Sequence, residues 1–330
     1  MNTNSMTNST TNSMTNSTST KITIVGSVNM DLVFRTPRMP APGETLSGHQ
    51  FLQVPGGKGG NQAVAAARQG AQVRLLARVG EDSLGQQLRS SLAADGVDTT
   101  DLLALPGVAS GVAGIFVDDA GQNSIVVAPG ANAALSVADV VAAAESIQCA
   151  QFLICQLESP LASVACAIAL AHKAGVTVVF NPTPVQTLSD ALLAQVDYLV
   201  VNEIEAAQLS GVVVQDEASA GQAAQALLAR GAKTVLLTMG AQGVLSASTL
   251  GGELMVALHP AFSVPVADTT AAGDTFVGTF VASLGAGLAV ADACRQAQAA
   301  AALCVTRLGA QSSIPQHGEV AAFLRKQTPT

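Results

Sequence analysis

Apolar positions along this chain follow two alternating rhythms. Short β-branched runs at 22–25, 73–79, 151–155, 176–180, 198–201 and 234–237 have the length and composition of strands. Between them lie Ala-rich stretches with helical spacing, over 59–69, 83–94, 138–147, 161–174, 203–209 and 219–229. Gly70 follows the first of these and Gly96 ends the second, where a left-handed residue closes a helix. The repetition predicts an α/β fold: a parallel sheet covered by helices on both faces, with ligands at the carboxyl ends of strands. Two segments break the rhythm. Residues 32–54 hold several Pro and Gly with alternating polarity, and 111–128 reads as a hairpin turning at Asp118-Asp119-Ala120-Gly121. Together they predict a small antiparallel sheet that projects as a lid, covering a ligand, pairing with a second subunit, or both. No linker divides the rest, so residues 21–330 are expected to form one domain.

Composition narrows the classes. The chain has 330 residues, 49% apolar but only 3% aromatic, with no Trp and one Tyr. Its core must therefore be built from Ala, Val and Leu, as in closely packed helices on a sheet. A net charge of −8 without a Lys/Arg block argues against a nucleic-acid surface. No apolar run reaches the roughly 18 residues needed to span a membrane. Five scattered cysteines without a CxxC pair are expected to be buried reduced thiols, which implies a reducing, cytoplasmic setting. Residues 1–20 differ: NSMTNST at 4–10 recurs at 12–18 within a polar tract that has neither a signal-peptide core nor Arg. A disordered, low-complexity tail is expected there.

The chemistry concentrates at 268–274, Asp268-Thr269-Thr270-Ala271-Ala272-Gly273-Asp274, directly ahead of an apolar helical run. Small residues let the backbone turn tightly and aim several N–H groups at one point. A helix starting there adds unpaired donors and a partial positive charge, which favour a bound anion. Asp274 stands where a phosphate would also sit, and with a reference pKa of about 3.9 it is ionised. Two anions in one pocket repel unless something lies between them. A hydroxyl losing its proton to the carboxylate while attacking phosphorus meets that requirement. An ordinary first-turn Asp, favoured by the helix dipole, is the plain alternative.

Other polar residues collect at strand ends. Asn29 and Asp31 sit two apart, so in an extended segment they face one side. Gly56-Gly57-Lys58-Gly59-Gly60-Asn61 opens the first long helix; it is neither a Walker A loop nor a GxGxxG dinucleotide turn. Its glycines suit close approach to a small polyol, with Lys58 and Asn61 as donors. Glu158 follows the strand at 151–155. Buried sugar hydroxyls need partners, so a polyol site calls for several such side chains. Asn202 and Glu205 share a helical face, as a capping box, as a site facing Mg²⁺ waters, or as both. Thr238-Met239-Gly240-Ala241-Gln242-Gly243 allows close approach of a nucleotide, although a hairpin turn explains its glycines equally well.

In this order the pieces resemble the ribokinase group of PfkB-type carbohydrate kinases, from about Lys21 to the C-terminus. The resemblance is specific at GGKGGNQAVAAA (56–67), Gln156-Leu157-Glu158-Ser159-Pro160, 202–205, 268–274 and TRLGAQSS (306–313). It implies a three-layer sandwich with a mostly parallel central sheet and a β-sheet lid that pairs in a homodimer. It further implies transfer of the ATP γ-phosphate to O5 of D-ribose. Asp274 would accept the proton, with Ala271, Ala272 and Gly273 opening the anion hole. Asn29, Met30 and Asp31, with Gly57 to Asn61 and Glu158, would hold the sugar. Asn202, the loop from Thr238 to Gly243, and Gln298 would hold ATP, while Glu205 orders Mg²⁺ waters. The family's K⁺ site falls on Asp268, Thr270, Cys304, Arg307, Gly309 and Ser313, mostly through carbonyls. Three positions depart from the family pattern: Ala241 for a common Ser, Gln298 for Asn or His, and Gly60 for Ala. Deoxyribose, fructose or adenosine kinases share this frame, and a non-catalytic sugar sensor is the alternative outside enzymes. A NAD-dependent dehydrogenase is disfavoured, because no dinucleotide fingerprint follows the first strand.

Overall fold

The computed structural model describes residues 19–250 and 252–327. Among them are thirteen strands: β1 (Lys21–Val25), β2 (Asn29–Thr36), β3 (Gln50–Gly56), β4 (Gln72–Gly80), β5 (Leu102–Leu105), β6 (Gly111–Asp118), β7 (Asn123–Ala128), β8 (Phe152–Cys155), β9 (Thr177–Phe180), β10 (Tyr198–Asn202), β11 (Thr234–Thr238), β12 (Val244–Leu250) and β13 (Glu253–His259). Nine of them form one sheet in the order β13-β12-β11-β10-β9-β8-β1-β4-β5. From β11 to β5 neighbouring strands are parallel, whereas β12 and β13 add an antiparallel edge.

Period-two alternation sends side chains to both faces. Leu199 and Val201 enter one apolar cluster while Val200 enters the other; Val235, Leu236 and Leu237 divide in the same way. Helices Leu161–Ala174 and Glu217–Ala229 cover the first face, and Lys58–Arg68, Ala272–Gly285 and Val290–Val305 the second. The result is the expected three-layer α/β sandwich.

Strands β3-β2-β6-β7 make the second sheet. It is mixed rather than antiparallel, because β2 and β6 pair in parallel while the outer pairs are antiparallel. Parallel pairing follows from the long excursion through β4 and β5 between them. Phe34 stacks on Phe51 and Phe116 at centroid distances of 5.0 and 5.3 Å, yet Phe34, Phe51, Ile125, Val126 and Val127 remain exposed.

Other expectations need correction. The helix expected over 138–147 is interrupted at Ala143, although neither Gly nor Pro forces a break there. Cys149 is exposed and Cys166 half-buried; only Cys155, Cys294 and Cys304 are buried, all five being free thiols. Strands β5, β12 and β13 and the helix His317–Gln327 were not foreseen. The expected tail lies outside the described residues up to 18. Thr20 is buried, and its carbonyl accepts from Gln72 N–H, so the packed chain already includes it.

Candidate active site

The helix Ala272–Gly285 begins at Ala271, whose φ of 60° is the one positive value on a non-glycine among the described residues. That left-handed turn is strained for alanine and aligns the amides that follow. The Ala272 N–H is engaged by the Thr269 carbonyl (3.2 Å), and Thr275 N–H returns to Ala271 O. No partner among the described residues takes the amides of Ala271, Gly273 or Asp274, and the last two are the free donors within the first turn of the helix. Ala272 contributes shape instead of a free N–H. A Cβ placed on Gly273 would enter open space.

Asp274 is buried, and both of its carboxylate oxygens accept from side-chain amides. Asn61 Nδ2 donates to Oδ2 and Gln62 Nε2 to Oδ1, each at 2.9 Å. Close packing of two helices permits this. A Cβ on Gly278 would lie 2.5 Å from Gln62 O, so only glycine lets Ala272–Gly285 approach Lys58–Arg68 so nearly.

Around Asp274 the polar residues converge from three elements. Asn29 and Asp31 do share a face of β2, and Met30 points the other way into the core. A Cβ on Gly56 would stand 2.4 Å from Asp31 Oδ2, so the glycine makes room for that carboxylate. Asn132, unnoticed in the sequence, is buried and donates to Asn29 Oδ1 (2.7 Å), which turns the Asn29 amide nitrogen toward the cleft. Glu158 accepts from Ser27 Oγ and from the Lys58 amide (3.0 Å). Burial raises Asp31 to about 7, reinforced by the charges of Glu158 and Asp274. Burial alone would lower Lys58, but the carboxylates of Asp274, Glu158 and Glu205 hold it above the usual lysine value.

The glycines of the 56–61 motif also pack against the chain itself. Cβ atoms on Gly57 and Gly59 would lie 2.6 Å from the backbone nitrogens of Asn29 and Ser27, and one on Gly60 would lie 3.0 Å from Gln311 Nε2. They therefore allow close approach of the chain to itself, seating the helix on the β1–β2 turn.

On the far side of Asp274, Asn202 and Glu205 form the reciprocal capping box, both bonds at 2.9 Å. Glu205 also accepts from Thr183 Oγ1 (2.5 Å). Lys58, Asn202, Glu205, Thr238, Gly273 and Asp274 line a cavity of about 220 Å³. An adjoining cavity of about 440 Å³ is walled by Gly240, Ala241, Gly243, Phe262, Phe276 and Gln298, with Thr238, Thr269, Ala272 and Gly273 shared between the two. The Gln298 Oε1 there is buried without a partner. Met239 packs into the core and Gln242 lines neither cavity, whereas Thr238 lines both and Ala241 the larger. A larger cavity, about 620 Å³, lies at the opposite strand ends near Lys21, Arg74 and Cys149. Arg74 is already paired with Asp98 there, and nothing converges as it does at Asp274.

Among the described residues no cluster of three His, Cys, Asp or Glu suits direct metal ligation. Glu205, which lines the polar cavity together with Asp274, fits a cation that keeps its waters, as Mg²⁺ does. The Asp268 oxygens accept from Thr270 N–H, Thr270 Oγ1 and Gly309 N–H, which hold it ionised below the usual range despite burial. It thus pins the 268–270 turn to the 306–313 loop. The Arg307 side chain turns away to Glu319, leaving only its carbonyl. Cys304 Sγ lies 3.0 Å from Ser313 Oγ. The Thr270 carbonyl accepts from Cys304 Sγ and the Cys304 carbonyl from the Arg307 amide.

A model of pfkB family carbohydrate kinases matches residues 19–317. The chain is 45% identical over 303 residues to a ribokinase of Haemophilus influenzae, covering 92% of this chain and 98% of that protein. It is 38% identical over 295 residues to a deoxyribokinase of Salmonella typhi, covering 89% and 95%. Its fold matches the structure of Arabidopsis thaliana ribokinase complexed with ribose and ATP with a TM-score of 0.86, at 30% identity, over 93% of this chain and 99% of that one. With the three-layer sandwich and the carboxylate at its helix start, this establishes that the chain belongs to the pfkB family of carbohydrate kinases.

Proposed function

We propose that this protein is an alcohol-acceptor phosphotransferase that moves the γ-phosphate of ATP to O5 of D-ribose. The observation that carries the reading is the position of Asp274: a buried carboxylate beside two unpartnered amides, where a polar pocket meets the wall shared with a larger, mostly carbon-lined one. Asn29, Asp31, Asn61, Glu158 and Lys58 hold the sugar hydroxyls. Gln298, Ala241 and the carbon walls of the larger cavity receive the adenine. Asp274 takes the hydroxyl proton as the sugar oxygen bonds to phosphorus and the bond to the ADP oxygen breaks. The amides of Gly273 and Asp274 and the Lys58 ammonium face the charge carried by the transferring group.

Glu205, beside Asn202, would hold hydrated Mg²⁺, which when bound would neutralise phosphate charge. Asp268, Thr270, Cys304, Arg307, Gly309 and Ser313 would hold K⁺, which when bound would supply positive charge near the amides. The small sheet serves as the lid of the single domain 21–330. Its exposed Phe34, Phe51 and Ile125 are the natural surface for a homodimer. Free cysteines, and the lack among described residues of any helix able to cross a membrane, support a cytoplasmic enzyme.

ADP release measured with D-ribose, 2-deoxyribose, fructose or no sugar, each with and without K⁺, tests the reading. D-ribose should give the highest kcat/KM and K⁺ should raise it. A preference for 2-deoxyribose replaces the substrate, and release that ignores sugar overturns the reading.

A further inference from the structure

The hydrogen bonds around Asp274 continue beyond it. Gln62 is fully buried; its Nε2 donates to Asp274 Oδ1 (2.9 Å) and to Asn181 Oδ1 (3.2 Å), and its Oε1 accepts from Gln156 Nε2 (2.5 Å). Asn181 Nδ2 donates to the Val200 carbonyl (3.0 Å) and to Thr183 Oγ1 (3.2 Å). The Thr183 hydroxyl then donates to Glu205 Oε1 (2.5 Å).

The direction of this chain is fixed at one point. A backbone carbonyl can only accept, so Asn181 must turn its nitrogen to Val200 and its oxygen to Gln62. Gln62 must then present N–H groups, one to Asn181 and one to Asp274. At the other end the Thr183 hydroxyl accepts from Asn181 and so gives its own hydrogen to Glu205. Both ends are carboxylates that receive a hydrogen.

The two amides that hold Asp274 differ. Asn61 makes a single side-chain bond, to Asp274, and its Oδ1 is buried without a partner. Gln62 is held by three bonds and cannot rotate without breaking them.

We propose that Gln62 is the positioning residue that aims Asp274, and that the Gln62–Asn181–Thr183 chain couples the orientation of Asp274 to that of Glu205. This rests on the phosphotransfer reading above. A lone ionised acid needs its free lone pair on the attacking hydroxyl. Gln62 fixes the carboxylate plane from the rigid helix Lys58–Arg68, and the chain transmits any shift of Glu205 to that plane.

The test uses the full chain with ATP, Mg²⁺ and ribose, comparing Gln62→Met, Thr183→Val, their double variant and Gln62→Glu, with Asp274→Asn alongside. Losing a bond to a charged group, about 1.5–3 kcal/mol, corresponds to roughly 10–100-fold. Gln62→Met should lower kcat by that factor while KM for ribose stays within about threefold. Thr183→Val should lower kcat less, and the double variant should fall no further than Gln62→Met, because both break one chain. In Gln62→Glu the introduced carboxyl holds a hydrogen toward Asp274 only while protonated. Its kcat relative to wild type should therefore fall as pH rises. The ratio to wild type is read because Asp31 on β2, Glu158 after β8, Lys58 on its helix, Glu205 and Cys304 face the same centre in both proteins.

A raised KM with unchanged kcat, additive losses in the double variant, or a flat ratio each overturn the proposal. Should Gln62→Met fail to fold, the half-buried Thr183→Val decides alone: unchanged kcat overturns it, and a loss confined to kcat supports it. Full turnover in Asp274→Asn would sink the phosphotransfer reading itself. Loss there, with full turnover in Gln62→Met, sinks only the positioning role.

Discussion

The two ends of the cleft are made in opposite ways. Around Asp31 and Glu158 the wall is ionisable and hydrogen-bonded, with Glu158 and Asp274 close enough to raise both Asp31 and Lys58. Around Phe262, Val264, Phe276 and Ala301 the wall is carbon, and the polar groups are mostly backbone atoms of small residues. Side chains carry the chemistry at the first end and mainly shape the space at the second. Substitutions should therefore be felt steeply at one end and shallowly at the other.

The largest effect belongs to Asp274→Asn. A positioned general base contributes about 10²–10⁴-fold, and turnover should fall by that factor while calorimetry shows ribose still binding. Next comes Gly273→Val, which tests the wall common to both cavities. Its side chain would enter space that is now open and should lower kcat/KM for ATP at least about tenfold, with little change in melting temperature.

A stability effect of intermediate size sharpens the contrast. Asp31 titrates near 7 in the folded chain, against about 3.9 unfolded. Below about pH 4 both states hold the proton, and above about 7 neither does; in between only the unfolded state has lost it. Folded stability is therefore lost as pH rises through that window, by about 2–4 kcal/mol. Asp31→Asn should raise the melting temperature of the sugar-free protein at pH 8 and leave it nearly unchanged at pH 4. The smallest effect is expected at the carbon end. Ala241→Ser should change KM for ATP by less than about threefold in initial-rate assays, because that residue is exposed at the cavity rim.

What was legible in the sequence follows the same division. Alternation placed the βα units, and the two-residue spacing put Asn29 and Asp31 on one face, because both depend on local periodicity. The partners that orient them were hidden. Asn132 reaches Asn29 across 103 positions and Gln62 reaches Asp274 across 212, distances no local pattern reports. Gln62 stood beside a residue already singled out, in GGKGGNQ, yet a helical Gln carries no mark of what it will meet. The sequence carried no sign that Gly59 and Gly60 also press against Ser27 and Gln311. The antiparallel edge of β12 and β13 went unseen because its seven-residue strands fit neither rhythm.

Only residues 26–28 separate β1 in the main sheet from β2 in the small one. Asn29 and Asp31 ride on the small sheet, while Glu158 and Asp274 belong to the main body. A molecule gripped by all four is a rivet through both bodies. Hinge motion must let go of it, and its arrival must stiffen the joint.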